Sequence, residues 1–438
     1  MQIFKVRKGF VLIRQKYVIF AVYFKDGYMF KKILNTLFTK FFSAVVGFAV
    51  IVLVSHLLGA AGKGQQAMIV FNINIILLLM TLMGNSTLVY LTPRKTFSQM
   101  FIPSVVWVLG CAALITAAGF LGVFNGGFAR FGQSLYFFQT VGISVLASIT
   151  EINYYVLLGK QQVVKANNLK LVYPLTNAVV ISLMWAAGRF SSIGDYVFSL
   201  WCAYVLSLFY GIWILKDDYK GLHFLDRKEF RQVSRTLFSL GAVKQLGSIA
   251  QTMVYRVSLL LTVYFFGTKG EFYNGIYSNA TGICEAVLLF GTSLALVQYS
   301  SLSNTQSNVE AKNLTIKLTK VNILFTALAL GIVCVLPESF WMFLFGNDFA
   351  RVGYYIRILS AGILFLSTSS NITQYFASRG NFSITACASL ASLAVTAVAG
   401  YVLIPLYNIT GAALTAVAAY VTGFTVEFIY FLKWIKRD

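Results

Sequence analysis

Acidic residues, histidine and proline are all scarce in this chain of 438 residues. Asp and Glu together number 14, against 35 Lys and Arg, and there are two His and five Pro. The sequence contains no paired carboxylates, metal-spaced histidines, nucleophile elbow or phosphate-binding glycine loop. It therefore predicts neither an enzyme nor a protein that carries a metal or another cofactor. The few prolines also give no marker for a broken helix.

Cysteine is equally sparse, and its spacing carries no signal. The five thiols lie far apart, each within an apolar run: Cys111, Cys202, Cys284, Cys334 and Cys387. Disulfide frameworks and zinc sites need cysteines at paired spacings. The pattern excludes both, and it predicts that these residues fill space between helices.

Apolar residues are what the chain has in abundance. Hydrophobic residues make up 58% of it, charged residues 11%, and the mean hydropathy is +0.75. This composition is typical of multi-pass membrane proteins. Apolar runs of about 20 residues predict twelve membrane-spanning helices. Their approximate positions are 36–58, 67–91, 100–124, 133–158, 168–188, 194–215, 236–266, 273–300, 318–345, 353–377, 382–404 and 409–432.

The distribution of positive charge predicts the orientation of these helices. If the N-terminus is inside, 27 of the 35 Lys and Arg lie in cytoplasmic segments and only five, Lys63 among them, lie in outer loops. Short cytoplasmic loops collect Lys and Arg, so both termini are predicted to be cytoplasmic. The net charge of +21 then indicates attraction to anionic lipids of the inner leaflet and not nucleic-acid binding.

Two related segments indicate an internal repeat. LLGAAGKGQQAMI begins at Leu57 and FFGTKGEFYNGIY begins at Phe265, so that Gly59 aligns with Gly267. In both, the glycines follow the first helix of a set of six. Because six is even, the two sets would share one orientation, as in transporters built from parallel repeats. The predicted fold is therefore an all-α multi-pass membrane protein of two parallel six-helix lobes.

The longest internal loop sets the boundary between the lobes. We predict a basic N-terminal extension, or a misassigned start that precedes translation at Met29, then an N-terminal lobe, a cytoplasmic inter-lobe loop and a C-terminal lobe. The corresponding ranges are 1–28, 29–215, 216–235 and 236–438.

The seventh predicted helix carries two cations, Lys244 and Arg256. A charge within a membrane span costs about 3 kcal/mol, so it indicates a function. At about 100° per residue, Gln245, Gln251 and Tyr255 fall on the same side of this helix as the cations. Lys244 and Arg256 would lie about 18 Å apart along the helix axis. This face predicts a substrate cavity in which an anion meets the two cations in turn.

Three more charged residues of the spans are candidates for a role in transport. Arg357 either contacts substrate or extends to the outer interface. Glu285 either forms an ion pair with Lys244 or Arg256 that fastens helices together, or takes part in ion coupling. Glu151 is a second candidate for ion coupling.

Twelve spans, two lobes, a basic middle loop and the segment LVSHLLGAAGKG, from Leu53 to Gly64, together resemble one family of exporters. They are similar to the Wzx-type polysaccharide-repeat flippases of the multidrug/oligosaccharidyl-lipid/polysaccharide (MOP) exporter superfamily. The resemblance covers the chain from about Met29 onwards and rests most on Leu57, Leu58, Gly59 and Gly62.

The resemblance implies a MATE-like fold in the inner (plasma) membrane of a bacterium. It also implies a substrate, an undecaprenyl-pyrophosphate-linked oligosaccharide that crosses by alternating access for assembly of O-antigen and lipopolysaccharide, capsule or exopolysaccharide. Polysaccharide polymerase machinery would be a partner. Lys244 and Arg256 would then replace the hydration of the pyrophosphate, and Gln245, Gln251 and Tyr255 would bond the sugar.

Two other functions are compatible with parts of the pattern. A MATE-like antiporter of drugs or cations needs carboxylates in its cavity, for which Glu151 and Glu285 are the candidates against three intramembrane cations. A membrane-embedded polymerase or glycosyltransferase acting on the same lipid carrier would display polar groups on sizeable outer loops. The predicted outer loops are short, which disfavours this alternative.

Overall fold

The computed structural model of the protein describes residues 27–85, 87–121, 136–303 and 307–435, which are almost entirely helical. Residues 1–26 of the predicted N-terminal extension lie outside the described part, as does the side chain of Lys244. The helices are α1 (Gly27–Met80), α2 (Thr87–Leu91), α3 (Phe97–Phe120), α4 (Phe137–Gly159), α5 (Val163–Ala186), α6 (Ile193–Ile214), α7 (Lys216–Lys220), α8 (Arg227–Phe266), α9 (Thr268–Ser303), α10 (Asn308–Val335), α11 (Glu338–Phe345), α12 (Val352–Ser378) and α13 (Phe382–Ile435).

Nine helices of the described part are long and apolar enough to cross a membrane. Two of the nine contain a break, α1 at Gly59 and α13 at Asn408, and each break separates two segments of spanning length. The 36-residue helix α9 is not among the nine. The all-α multi-pass membrane fold is confirmed, whereas the number of twelve spans stays a prediction.

The breaks replace loops that the sequence predicts. Gly59 has φ 63° and ψ −171°, and the helix resumes at Ala60, so the chain changes direction within one residue. Glycine tolerates this positive φ because it has no Cβ. The placement of Lys63 in an outer loop is therefore wrong, since Lys63 lies in the second segment of α1. Asn408, with φ 53°, makes the corresponding break in α13.

The predicted inter-lobe loop is also more ordered than expected. Helix α7 occupies its start, and α8 already begins at Arg227. The Tyr219 hydroxyl donates to Asn153 Oδ1 at 2.9 Å, and the Tyr219 ring packs edge-on against Phe97 and Phe101. Burial raises the pKa of Tyr219 to about 12, which keeps this hydroxyl protonated as a donor. These contacts hold the segment against the N-terminal half.

Buried apolar side chains form separate clusters in the two halves of the chain. In the N-terminal half, Met80, Ile152 and Val156 are the centre of one cluster. In the C-terminal half, Trp341 stacks on Phe345 with ring centroids 6.2 Å apart. Because α11 supplies these two rings and the 3-10 turn after it supplies the buried Phe349, the segment between α10 and α12 is part of the core.

The two halves are in direct backbone contact at glycine residues where α1 crosses α9. A Cβ added to Gly64 would lie 1.7 Å from the carbonyl oxygen of Glu271, and one added to Gly275 would lie 1.9 Å from that of Ala60. Small residues allow membrane helices to approach this closely, which gives extensive van der Waals contact. This crossing lies just beyond Gly59, on the predicted outer side.

A second contact between the halves lies towards the other end of the molecule. A Cβ on Gly241 of α8 would lie 1.9 Å from the carbonyl oxygen of Leu82. Nearby, Trp107 of α3 packs edge-on against Phe238 of α8, with ring centroids 5.5 Å apart. The halves therefore touch on the predicted outer and inner sides.

Candidate functional site

A pocket of about 270 Å³ opens between helices of the C-terminal half. Helices α8, α9, α12 and α13 supply its walls. The polar lining residues come from α8 and α9, and the rest of the lining is largely apolar. The lining residues are Tyr255, Arg256, Thr281, Cys284, Glu285, Leu288, Leu289, Thr292, Leu359, Ile363, Leu366 and Tyr420.

An ion pair lies in the wall of this pocket. Arg256 Nη2 is 3.3 Å from Glu285 Oε1, and the side chains are 28% and 46% exposed respectively. Of the two partners that the sequence allowed for Glu285, the structure thus shows Arg256. A guanidinium has five N–H donors, so contact with one carboxylate oxygen leaves donors for a second anion. The pair can fasten α8 to α9 and still present positive charge to the pocket.

Tyr255 lies beside Arg256 in the same wall. Its hydroxyl accepts a hydrogen bond from Gln251 Nε2 at 2.7 Å, and its ring packs edge-on against Tyr420 of α13. Gln251 in turn accepts from Ser389 Oγ at 3.0 Å. Tyr255 therefore lines the pocket, whereas Gln251 links the Tyr255 hydroxyl to Ser389 of α13.

Gln245 lies at the contact between the halves and not in the pocket lining. It is buried, and its Oε1 accepts from Asn85 Nδ2 at 3.1 Å, while its Nε2 donates to the carbonyl of Leu78. Its neighbour Lys244 belongs to the same helix, although its side chain is outside the described part. The amide of Gln245 thus joins α8 to the end of α1.

The two remaining candidates lie away from the pocket. Arg357 is exposed on α12, and its Nε donates to the carbonyl of Cys334 at 3.0 Å. Glu151 of α4 forms an ion pair with Lys170 of α5. Neither is among the residues that line the pocket.

Lys63 is a cation whose position the sequence did not reveal. Its side chain is 4% exposed, and Nζ donates to Gln66 Oε1, while Gln66 Nε2 donates to the Tyr196 hydroxyl at 3.0 Å. Within the described residues, no carboxylate forms an ion pair with it. Its charge does interact electrostatically with both Arg256 and Glu285. The sequence gives one signal for this position, which is Gly59. A glycine there can adopt a positive φ, so a new helical segment starts at Ala60 and includes Lys63.

Polar contacts hold the halves together next to this lysine. Asp348 Oδ2 accepts from the backbone N–H of Ala60 at 3.0 Å. His56 Nε2 lies 3.1 Å from the carbonyl oxygen of Phe343, and Gln65 Nε2 donates to Glu271 Oε2 at 2.9 Å. The predicted outer side is therefore closed by contacts from both halves.

The sequence predicts neither a disulfide framework nor a metal site. The five cysteines are free thiols. Among the described residues, no group of three His, Cys, Asp or Glu side chains is placed to hold a metal ion.

Comparison by sequence gives one informative relative. No family model matches the chain. The capsular polysaccharide biosynthesis protein CapF of Staphylococcus aureus is 25% identical over 169 residues, which cover 38% of this chain and 42% of that protein. The match thus spans less than half of either protein.

Comparison by structure gives matches over nearly the whole chain. An inward-facing multidrug resistance MATE family transporter of the MOP superfamily matches with a TM-score of 0.72 and 12% identity, over 90% of this chain and 95% of that one. The lipid II flippase MurJ in its inward closed conformation matches with a TM-score of 0.72 and 15% identity, over 91% and 87%. A MOP superfamily transporter from Pyrococcus furiosus matches with a TM-score of 0.61 and 12% identity, over 93% of each chain.

These structural neighbours are transporters or flippases. At these identities the likeness establishes the fold. The chain has the all-helical fold of the MOP superfamily transporters.

Proposed function

We propose that this protein is a flippase for undecaprenyl-pyrophosphate-linked oligosaccharides in a bacterial plasma membrane, serving assembly of a surface polysaccharide such as O-antigen, capsule or exopolysaccharide. The observation that carries the proposal is the charge around the pocket. Arg256 is paired with Glu285, and the buried Lys63 interacts with this pair without a carboxylate partner of its own in the described residues. When Lys63 carries its proton, these three groups together hold one net positive charge beside the pocket.

A pyrophosphate group needs such a site in order to cross the membrane. Its charge is strongly solvated in water, and hydrocarbon cannot replace that solvation. Lys63 and Arg256 belong to different halves of the chain, so an anion held between them would contact both halves. Lys244 on α8 would add a third cation. Tyr255 and the Thr281 hydroxyl in the pocket wall supply hydrogen-bonding groups for sugar.

The names of two similar proteins support the class of substrate. CapF is a capsular polysaccharide biosynthesis protein, and MurJ is a lipid II flippase. In our proposal the two halves rock against each other, both termini face the cytoplasm, and anionic lipids attract the basic inner surface. A polysaccharide polymerase then receives the flipped repeat unit.

The test is a transport assay with purified protein in liposomes that contain a lipid-pyrophosphate oligosaccharide. We would compare wild type with Lys63→Ala, Lys244→Ala and Arg256→Ala and measure how fast the sugar becomes accessible to a lectin in the opposite compartment. Arg189→Ala is the matched control, because Arg189 is an exposed cation at the end of α5. Loss of one charge-assisted hydrogen bond should slow transport by roughly tenfold to a hundredfold.

The control variant should transport at the wild-type rate. If the three cation variants are folded and also match wild type, these cations do not serve the substrate. An inactive wild type with this lipid would contradict the proposed substrate class.

Exposure of Glu285 favours one second candidate function, antiport of drugs or other cations. Glu285 lines the pocket and has 46% of its side chain exposed, against 28% for Arg256, and a carboxylate attracts cationic substrates. The same liposomes loaded with a cationic dye would test this function. Dye efflux that Glu285→Gln abolishes, combined with no movement of the lipid, would favour the antiporter.

A further inference from the structure

Glu427 of α13 is a buried carboxylate to which the proposed function gives no role. Its side chain is 2% exposed. Both of its oxygens accept hydrogen bonds from hydroxyl groups of α12. Ser369 Oγ donates to Oε2, and Thr373 Oγ1 donates to Oε1 at 2.8 Å.

Glu427 lacks a counter-charge, unlike the three carboxylates that form ion pairs in the described part of the chain. Lys170 pairs with Glu151, Arg256 pairs with Glu285 and Lys160 pairs with Asp218. No cation of the described residues forms an ion pair with Glu427. An ionised carboxylate buried without a cation is so costly that it normally takes up a proton.

Other titratable groups occur on α12 and α13 and on the helices packed against them, α8, α9, α10 and α11. They include Arg357, Tyr375 and Arg379 on α12, Tyr401, Tyr407, Tyr420, Tyr430 and Lys433 on α13, Lys244, Tyr255 and Arg256 on α8, Tyr277 and Glu285 on α9, Glu310, Lys312, Lys317 and Lys320 on α10, and Glu338 on α11. Of these, Tyr255 in the pocket wall interacts electrostatically with Glu427.

The position of Glu427 relates it to the pocket. Leu359, Ile363 and Leu366 of α12 line the pocket, and Ser369 and Thr373 follow Leu366 by three and seven residues, which is the spacing of one helix face. Tyr420 of α13 also lines the pocket, and Glu427 follows it by seven residues, or about 10 Å along the axis. Ser369 and Thr373 therefore lie on the face of α12 that lines the pocket, and Glu427 lies on the face of α13 that does so.

We propose that Glu427, Ser369 and Thr373 form a proton-binding site whose loading is coupled to transport through the adjoining pocket. The coupling rests on the proposed transport function, whereas the binding of the proton does not. On loading, the carboxylate takes one proton and becomes a neutral acid, and on unloading it returns that proton to water. The site offers only four side-chain oxygens, fewer than the six or so that cations such as Ca²⁺ require.

The first measurement is infrared difference spectroscopy of the full-length protein in liposomes during a pH titration. A protonated carboxyl has a C=O stretch that shifts in deuterated water. We expect wild type to show such a band that is lost as pH rises, and Glu427→Gln to lack it. Glu310→Gln, which removes an exposed carboxylate from the start of α10, should keep the wild-type band.

A second set of variants shows whether loss of the band in Glu427→Gln comes from loss of the carboxyl or from misfolding. Glu427→Asp retains a carboxyl, and Ser369→Ala with Thr373→Val removes only its hydroxyl partners, so each should keep a titrating band. An identical titrating band in wild type and Glu427→Gln, or no titrating band in wild type, would overturn the proposal. A band that responds to Na⁺ at constant pH and not to protons would overturn it as well.

The second measurement tests the coupling in the lipid transport assay. A pH gradient should change the rate of flipping by wild type, and Glu427→Gln should lose this response while still exchanging lipid without a gradient. If the gradient drives wild type and Glu427→Gln equally, the coupling is wrong. If wild type flips no lipid but its Glu427 band titrates, the substrate proposal fails and the proton site stands.

Discussion

At the scale of single residues, Asp348 provides a helix cap across the two halves of the chain. Its carboxylate accepts from the N–H of Ala60, the first residue after the break in α1. The first N–H groups of a helix have no partner within that helix, and an aspartate satisfies them well. Because Asp348 belongs to the C-terminal half, the predicted outer side cannot open without losing this bond.

Replacing Asp348 should therefore loosen the closed outer side. We expect Asp348→Ala to destabilise the closed arrangement by about 1 kcal/mol, the typical cost of losing a cap. A thiol reagent added from outside should then react faster with His56→Cys in this variant, in a background without the native cysteines. Asp348→Asn is the matched control, since its amide oxygen can still accept the bond. Equal labelling in the Ala and Asn variants would contradict the role of the cap.

The Arg256–Glu285 pair permits a test that separates fastening from substrate binding. Arg256→Ala leaves Glu285 without its counter-charge. We expect the free energy of unfolding to fall by about 1 kcal/mol. The double variant Arg256→Ala with Glu285→Ala should recover most of that stability. Transport should stay low in the double variant, because the cation that we propose to bind the pyrophosphate is still missing.

Stability is read from the unfolding midpoint and transport from the lipid assay. Recovery of both in the double variant would reduce the pair to a helix fastener. A stability unchanged by Arg256→Ala would mean that the pair does not fasten α8 to α9 at all.

At the scale of helices, the crossing of α1 and α9 is a close backbone contact between the halves. Gly64 and Gly275 bring backbone against backbone there, whereas Gly282, further along α9, has room for a methyl group. A Cβ on Gly282 would lie 3.6 Å from Ile51 Cδ1, an ordinary contact distance. The tolerance of α9 to added volume should thus change within two turns.

Alanine substitutions of Gly275 and Gly282 should therefore have different effects on stability. Gly275→Ala forces a Cβ into the carbonyl of Ala60 and should destabilise the protein by about 1–3 kcal/mol. Gly282→Ala should be neutral or slightly stabilising, because alanine favours helix over glycine. The unfolding midpoint of each purified variant is the measurement. Similar midpoints for the two would show that α1 and α9 do not cross this closely.

At the scale of the whole molecule, the orientation in the membrane is the most direct prediction left to test. The charge distribution predicts that α7 is cytoplasmic and that the start of α9 faces outwards. In a background without the native cysteines, Asp217→Cys and Lys269→Cys place single thiols at exposed positions of these two segments. In intact cells, an impermeant thiol reagent should label Lys269→Cys and not Asp217→Cys. The reverse pattern would mean that the termini lie outside.

Long apolar runs made the fold predictable from the sequence, because bilayer thickness fixes the length of a spanning helix. The breaks were not predictable. Gly59 resembles any glycine in a turn, and Asn408 has a positive φ that few side chains adopt. The loop assigned to Lys63 was therefore wrong, and with it the location of a buried cation.

The candidate site was predictable only in part, for a similar reason. Helix periodicity places Tyr255 and Arg256 on one face, and the structure puts both in the pocket wall. Periodicity does not say which neighbour a face meets, and Gln245 of the same face meets the N-terminal half. Glu427 lies near the end of a helix in sequence, so its burial follows from the packing of α12 on α13 and not from any local pattern.

The pocket lining has a consequence for how this protein evolves. In the described part of the chain, its walls come from the C-terminal half, while the glycine crossing that joins the halves lies elsewhere. Mutations that reshape the pocket lining thus leave the glycine contacts between the halves intact. The pocket lining is therefore free to diverge between descendants of this protein while the contact between the halves is inherited unchanged.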